Sequence, residues 1–270
     1  RRCTLTPLAT LRVVLAMGLY TDVPIRDVFR HCRRFHDLDK TPTRSALCRA
    51  RQRLGTKPLR LLFRQVVTLQ ASSRTPDAFY HGLRLMGIDG VQYTTPDTPR
   101  NEAAFGRPKG GTGADGQGGF PQVGKVSLIE LGTHVEYAFA FRPQAVGECT
   151  IAHRLVPHLT PDMLVLLDAG FFGFSLLKTI LNQGSQFLVN TSCTPRLDPV
   201  RALSDGSYLA KIYPSPDDRL RDRRGAVVRV LRYRLDDPQR PGHGEVHRLV
   251  TTLLDERQHP AQTLIALYHE

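Results

Sequence analysis

Two rhythms of apolar residues divide the chain. Up to about residue 70 they recur every three or four positions, the spacing that lines one face of a helix. Thr6-Pro7 pairs a capping residue with a proline in the first turn, and Leu8, Leu11, Val14, Leu15 and Leu19 follow it, predicting a first helix. Asp22-Val23-Pro24 opens a second, with Ile25, Val28 and Phe29 on its apolar side. Thr41-Pro42 opens a third, running through Leu47 and Leu54 to a stop at Gly55, and Lys57-Pro58 opens a fourth. Residues 71–81 are polar and read as a linker. Beyond them the rhythm changes. Short continuous or alternating runs over 84–88, 123–131, 134–141, 163–167, 186–190, 226–233 and 246–254 predict strands. Helices are predicted from Gly147-Glu148, over 174–182 and from Pro260-Ala261, whereas 94–110, the glycine-rich 110–119 and 198–222 read as loops.

This order sets out a small helical domain over 1–70, a linker, and an α/β domain over 82–270 whose mixed sheet carries helices on its faces. A β-rich insertion occupies about 191–258. Three strands, a helix, a strand, a helix and a strand are the element order of an RNase H-like domain.

Two of the strands end alike. Met163-Leu164-Val165-Leu166-Leu167 runs into Asp168, then Ala169-Gly170; Leu85-Met86-Gly87-Ile88 runs into Asp89, then Gly90. An acid at the C-terminal end of a buried strand stands at the mouth of an open α/β sheet, where ligands bind. Two such acids in one domain predict a shared site for a hard divalent cation, which takes carboxylate oxygens. Taken singly, either aspartate is an ordinary turn former or helix cap. Glu148 reads as an acid favouring the start of its helix.

Charge adds a partner. Residues 1–64 hold 15 Lys/Arg against 4 Asp/Glu, a net of +11, while the rest of the chain nearly balances within a total of +12. A basic module on a neutral domain is the footprint of a polyanion binder. Arg44, Arg49, Arg51 and Arg53 fall on the third helix, which predicts a helix-turn-helix arrangement placing that helix in the major groove of double-stranded DNA. The rival reading is a helical cap with a solvated basic face. Five scattered cysteines offer no disulfide framework, and no apolar run is long enough to span a bilayer.

Together the motifs are specific. Ile88-Asp89-Gly90, Pro96-Asp97-Thr98-Pro99-Arg100-Asn101, Ala104-Phe105-Gly106-Arg107, Gly119-Phe120-Pro121-Gln122, Glu130-Leu131-Gly132-Thr133-His134, Gly147-Glu148 and Asp168-Ala169-Gly170-Phe171-Phe172 closely resemble bacterial insertion-sequence transposases of the insertion element four family, in the DDE superfamily. Thr6 to about Arg53 looks like that family's N-terminal domain.

The resemblance implies a DNA transposase that cuts element ends and joins them to target DNA. It would use Mg²⁺ (Mn²⁺ as substitute), act as a homodimer in a synaptic complex, and work in the bacterial cytoplasm on the nucleoid. Asp89 and Asp168 would be the first two catalytic, metal-holding acids. The family's third, a glutamate, belongs to a Tyr-x-x-Arg-x-x-x-Glu motif that starts at Tyr268 and would place the acid past Glu270. The chain as it stands is therefore expected to bind DNA and to catalyse weakly or not at all. By the same motif Tyr268 would bond a DNA phosphate; by its spacing it is equally a core tyrosine. The alternatives are an inactive remnant that only binds DNA, and an RNase H-like metal-dependent nuclease that never joins strands.

Overall fold

The structure, a computed structural model, describes residues 5–32, 34, 40–108, 119–192, 195–235, 238–239 and 243–269. Contacts divide the chain into two compact units, Arg1–Thr68 and Leu69–Glu270.

The smaller unit holds four helices: α1 (Pro7–Leu19), α2 (Ile25–His31), α3 (Arg44–Leu54) and α4 (Lys57–Val66). Thr6 caps α1, its hydroxyl accepting the Ala9 amide at 3.2 Å. Leu5, Val13, Phe29, Leu47 and Ala50 form the core that holds α1, α2 and α3 together. Helix α3 begins two residues later than Thr41-Pro42 predicts. Both threonines can cap, but it is the Thr43 hydroxyl that reaches a backbone amide, that of Ala46. The predicted stop holds: Gly55 takes φ +65°, which a glycine adopts without strain. Residues 32–43 separate α2 from α3, a far longer connection than the three or four residues of a tight helix-turn-helix.

The larger unit is built on one ten-stranded sheet. Its strands are β1 (Phe79–Tyr80), β2 (Leu83–Thr94), β3 (Gln122–Glu130), β4 (Val135–Pro143), β5 (Met163–Leu167), β6 (Gln186–Thr191), β7 (Arg201–Ala202), β8 (Tyr208–Ile212), β9 (Ala226–Arg234) and β10 (Val246–Thr251). The order is β4-β3-β2-β5-β6-β10-β9-β8-β7, with β1 paired on β2. Strand β3 runs antiparallel to its neighbours β2 and β4, and β5 runs parallel to both β2 and β6. Three antiparallel strands followed by two parallel ones, the first strand central, is the RNase H-like arrangement. The β-rich insertion extends this sheet, because β10 pairs antiparallel with β6.

Helices α5 (Pro99–Phe105), α6 (Glu148–Ala152), α7 (Phe174–Asn182), α8 (Pro216–Leu220) and α9 (Ala261–His269) complete the unit. The sheet buries both faces. Met86, Ile88, Val126, Val165 and Leu167 pack with Ile151, Leu177 and Ile180 of α6 and α7. Leu85, Leu164, Leu188, Leu231 and Leu249 pack with Leu264 of α9. Consecutive residues of β5 thus enter opposite cores, which is why that strand reads as an unbroken apolar run; each such side chain contributes about 1.5–3 kcal/mol.

Several loop readings are corrected. Residues 94–110 contain α5, opened by Thr98, whose hydroxyl accepts the Asn101 amide. Residues 198–222 contain β7, β8 and α8. Residues 71–81 are bound into the larger unit: the buried Glu130 accepts the amides of Gln70 and Ala71 at 2.9 and 3.0 Å and pairs with Arg84. Arg229, expected to be exposed with Arg232 and Arg234, is fully buried. It has the parity of Leu231 and so faces the α9 core, whereas Arg232 and Arg234, in line with the buried Val228 and Val230, are exposed only because they lie toward the end of the strand. The glycine-rich stretch lies outside the described residues from 109 to 118.

Candidate functional site

Register brings the two aspartates together. In the parallel pairing of β2 with β5, Ile88 stands beside Leu167, so Asp89 and Asp168 are the next residues on adjoining chains about 4.8 Å apart. Alternation puts both on the sheet face that α9 covers, since Leu85 and Leu164 pack in its core. Asp89 is exposed, and its Oδ1 accepts the Gly90 amide at 2.7 Å. Asp168 is also exposed, and its Oδ1 accepts the Gly170 amide at 3.0 Å, capping a short 3-10 turn. No basic side chain pairs with either among the described residues.

A third carboxylate lies beside Gly90, the residue after Asp89. Glu148 lies against the backbone of Gly90, where an added Cβ would fall 2.6 Å from its carboxyl carbon. Its Oε1 accepts Arg142 Nη2 at 2.7 Å. Arg142 is laid over Gly124 in the same manner, and its Nη1 donates to the Val146 carbonyl at 2.7 Å. Glu148 therefore does more than favour a helix start. The signals that could have found it are the two glycines within strands, a pattern that marks close approach by another group. Burial, the charges of Asp89 and Glu148, and too little compensation from the Gly170 and Phe171 amides together hold the Asp168 carboxyl above its ordinary range.

These features suit a hard cation. Two outward carboxylates carry unbalanced negative charge and each retains free lone pairs. Among the described residues no three of His, Cys, Asp and Glu stand close enough to hold a metal.

Tyr268, on the last turn of α9, donates its hydroxyl to the Leu167 carbonyl at 2.9 Å, one residue before Asp168. Burial foremost, and then the charge of Asp168, pushes it up to about 12. It packs on the α9 core and ties that helix to the end of β5.

The four arginines of α3 are all exposed but do not form one line. Arg44 and Arg51 share a flank and line a groove of about 760 Å³ with Met17, Asp22, Arg26 and Cys48. At 3.6 residues per turn, Arg49 and Arg53 lie on the other side of the helix. Among the described residues no helix is long and apolar enough to cross a membrane.

Fold and site together define an RNase H-like α/β protein with a separate basic helical unit. Residues 1–64 match the family described as insertion element 4 transposase N-terminal. The chain is 31% identical over 226 residues to the transposase InsG for insertion sequence element IS4 of Escherichia coli (strain K12), covering 83% of this chain and 49% of that protein. It is 32% identical over 164 residues to the putative transposase InsZ of the same strain, covering 60% of this chain and 54% of that one. Among solved structures it is similar to a piggyBac transposase synaptic complex with hairpin DNA, at 13% identity and a TM-score of 0.46, over 100% of this chain and 56% of that one. The chain spans about half the length of the curated relatives it matches. The chain is thus similar to insertion element 4 transposases, and the match to their N-terminal family falls on its first 64 residues.

Proposed function

We propose that the chain is the DNA-binding and aspartate-bearing portion of a DNA transposase, with Asp89 and Asp168 as its catalytic and metal-holding residues. The observation that carries this reading is the register, which sets the two acids side by side at the ends of adjoining parallel strands. The Gly90 and Gly170 amides each fix one carboxylate oxygen of an exposed aspartate. Divalent ions held there, Mg²⁺ or Mn²⁺, would supply an activated attacking hydroxyl and a stabilised leaving oxygen for phosphodiester cleavage and strand transfer. The chain's own residues do the positioning. Tyr268 locks the end of β5, and Arg142 pins Glu148 against Gly90 so that the negative edge of the site keeps its shape. The exposed arginines of α3, Arg44, Arg49, Arg51 and Arg53, would hold duplex DNA, in a homodimer that brings two element ends together in a bacterial cytoplasm.

The test is Mn²⁺-dependent thermal stabilisation, read beside cleavage of duplex DNA. Mn²⁺ is expected to raise the Tm of the wild-type chain, and Asp89→Asn and Asp168→Asn should each abolish that rise. A rise that survives both substitutions would place the cation elsewhere and sink the assignment.

A further inference from the structure

Helix α3 has a sided chemistry that its arginine count conceals. Leu47 and Ala50, each 3% exposed, face the core. At 3.6 residues per turn Ser45 and Gln52 lie diametrically opposite them, with Arg49 at their shoulder. Arg44 and Arg51 occupy one flank, and all five polar side chains are exposed.

That flank has more cations than anions: Arg26, Arg30, Arg44 and Arg51 line the groove against Asp22 and Asp27. Arg26, Arg44 and Arg51 line the same groove, and among the described residues none of the three pairs with a carboxylate. The groove's Asp27 is already taken by Arg30 at 2.7 Å. Among the described residues the Arg51 guanidinium reaches the thioether of Met17, at 3.9 Å, a weak acceptor. Planar guanidinium forks without carboxylates suit phosphate oxygens.

We infer that α3 enters the major groove with its Arg44–Arg51 flank against one phosphate backbone, and that Ser45, Arg49 and Gln52 read base edges. The inference rests on the DNA-binding reading above and adds which residues give sequence preference. Seven residues of helix separate Ser45 from Gln52, roughly 10 Å, or about three base pairs of 3.4 Å. Glutamine pairs bidentately with adenine and arginine with guanine, so the preferred site should contain both within those positions.

Two measurements on the full chain test it: selection from randomised duplexes, and fluorescence anisotropy across graded salt. Ser45→Ala with Gln52→Ala should relax one or two base positions, roughly 5- to 150-fold each in discrimination, and leave the salt slope unchanged. Arg44→Ala with Arg51→Ala should keep the selected sequence but flatten the log–log slope by about 2, at about 0.9 per phosphate. Arg44→Lys with Arg51→Lys should restore most of that slope, and circular dichroism confirms that each variant is folded. An unchanged slope in the arginine-to-alanine pair, or an unchanged consensus in the Ser45/Gln52 pair, overturns the orientation while leaving DNA binding intact. A wild-type chain with no salt-dependent duplex affinity overturns the DNA-binding reading itself.

Discussion

Arg229 on β9 is wholly buried and its guanidinium is fully engaged, whereas Arg44 on α3 is exposed and has no carboxylate partner among the described residues. Nε of Arg229 donates to Ser207 Oγ at 2.8 Å and Nη1 to the His259 carbonyl at 2.6 Å, while Nη2 pairs with Asp205. Asp205 in turn accepts the Ala261 amide at 2.9 Å, the first of α9. Arg142 and Arg248 are buried too and bond through their terminal nitrogens, Arg142 to the Val146 carbonyl and Glu148, Arg248 to the Pro195 and Ser192 carbonyls, while the Nε of each finds no partner among the described residues. In the larger unit these buried arginines close the fold, and Arg229 with Asp205 ties the insertion to the start of α9. On the Arg44–Arg51 flank of the smaller unit no carboxylate takes up that bonding capacity among the described residues. One residue type thus does two jobs, and net charge alone separates neither, since only burial and partners do.

The sharpest way to break the comparison is Arg229→Met. Removing one member of a buried pair strands the other, and the expected loss is about 3–5 kcal/mol, read from urea denaturation. The counterpart Asp205→Asn adds a pH signature. Burial disfavours the charged carboxyl, but the Ser207 hydroxyl and amide, the Ala261 amide and Arg229 outweigh it and hold Asp205 below the usual carboxylate range. A group depressed in the folded state contributes stability above its unfolded value, near 3.9, and loses it as pH falls through the folded one. The gap between wild type and Asp205→Asn should therefore be full at neutral pH and close below about pH 4. A gap of constant size down to pH 2 would show that the loss is packing rather than charge.

The next effect down comes from the glycines beneath Arg142 and Glu148. A Cβ at Gly124 would meet Arg142 Cγ at 2.6 Å, under a side chain only 6% exposed. Overpacking of that kind costs about 1–3 kcal/mol. A Cβ at Gly90 meets the far end of Glu148, which is 32% exposed and can swing aside, so Gly90→Ala should cost under about 1 kcal/mol. Thermal melts of the two variants rank them. Equal losses would mean that Glu148 is held as tightly as Arg142.

What could be read in the sequence follows the same division. Strand β5 was legible because both of its faces are buried, and α1 because Thr6-Pro7 carries its own cap. The aspartate pair was legible because each acid ends an apolar run before glycine. Helix α5 was hidden although Thr98-Pro99 repeats the Thr6-Pro7 signal, because its residues bury nothing and so give no apolar period. Arg229 suggests the solvent side by its type, but Val228 and Val230 beside it are buried on the opposite face, so both faces of β9 are covered at that point. The Glu148–Arg142 clamp joins β4 to α6 across the glycines of β2 and β3, and contacts of that range leave only those glycines as a local trace.

The smallest expected effect bears on the other half of the comparison. Arg44→Ala and Arg51→Ala remove exposed guanidinium groups that bury no charge and break no carboxylate pair. Surface substitutions away from caps and cores usually change stability by no more than about 0.5 kcal/mol. Helix α3 keeps its Thr43 cap, its Gly55 stop and the packing of Leu47 and Ala50 in both variants. Their chemical denaturation midpoints should therefore coincide with wild type, while a buried-arginine variant such as Arg229→Met shifts its midpoint strongly. A loss of more than about 1 kcal/mol from either exposed arginine would show that the flank is part of the small unit's own packing. In that case a change in its DNA affinity could no longer be ascribed to phosphate contact alone.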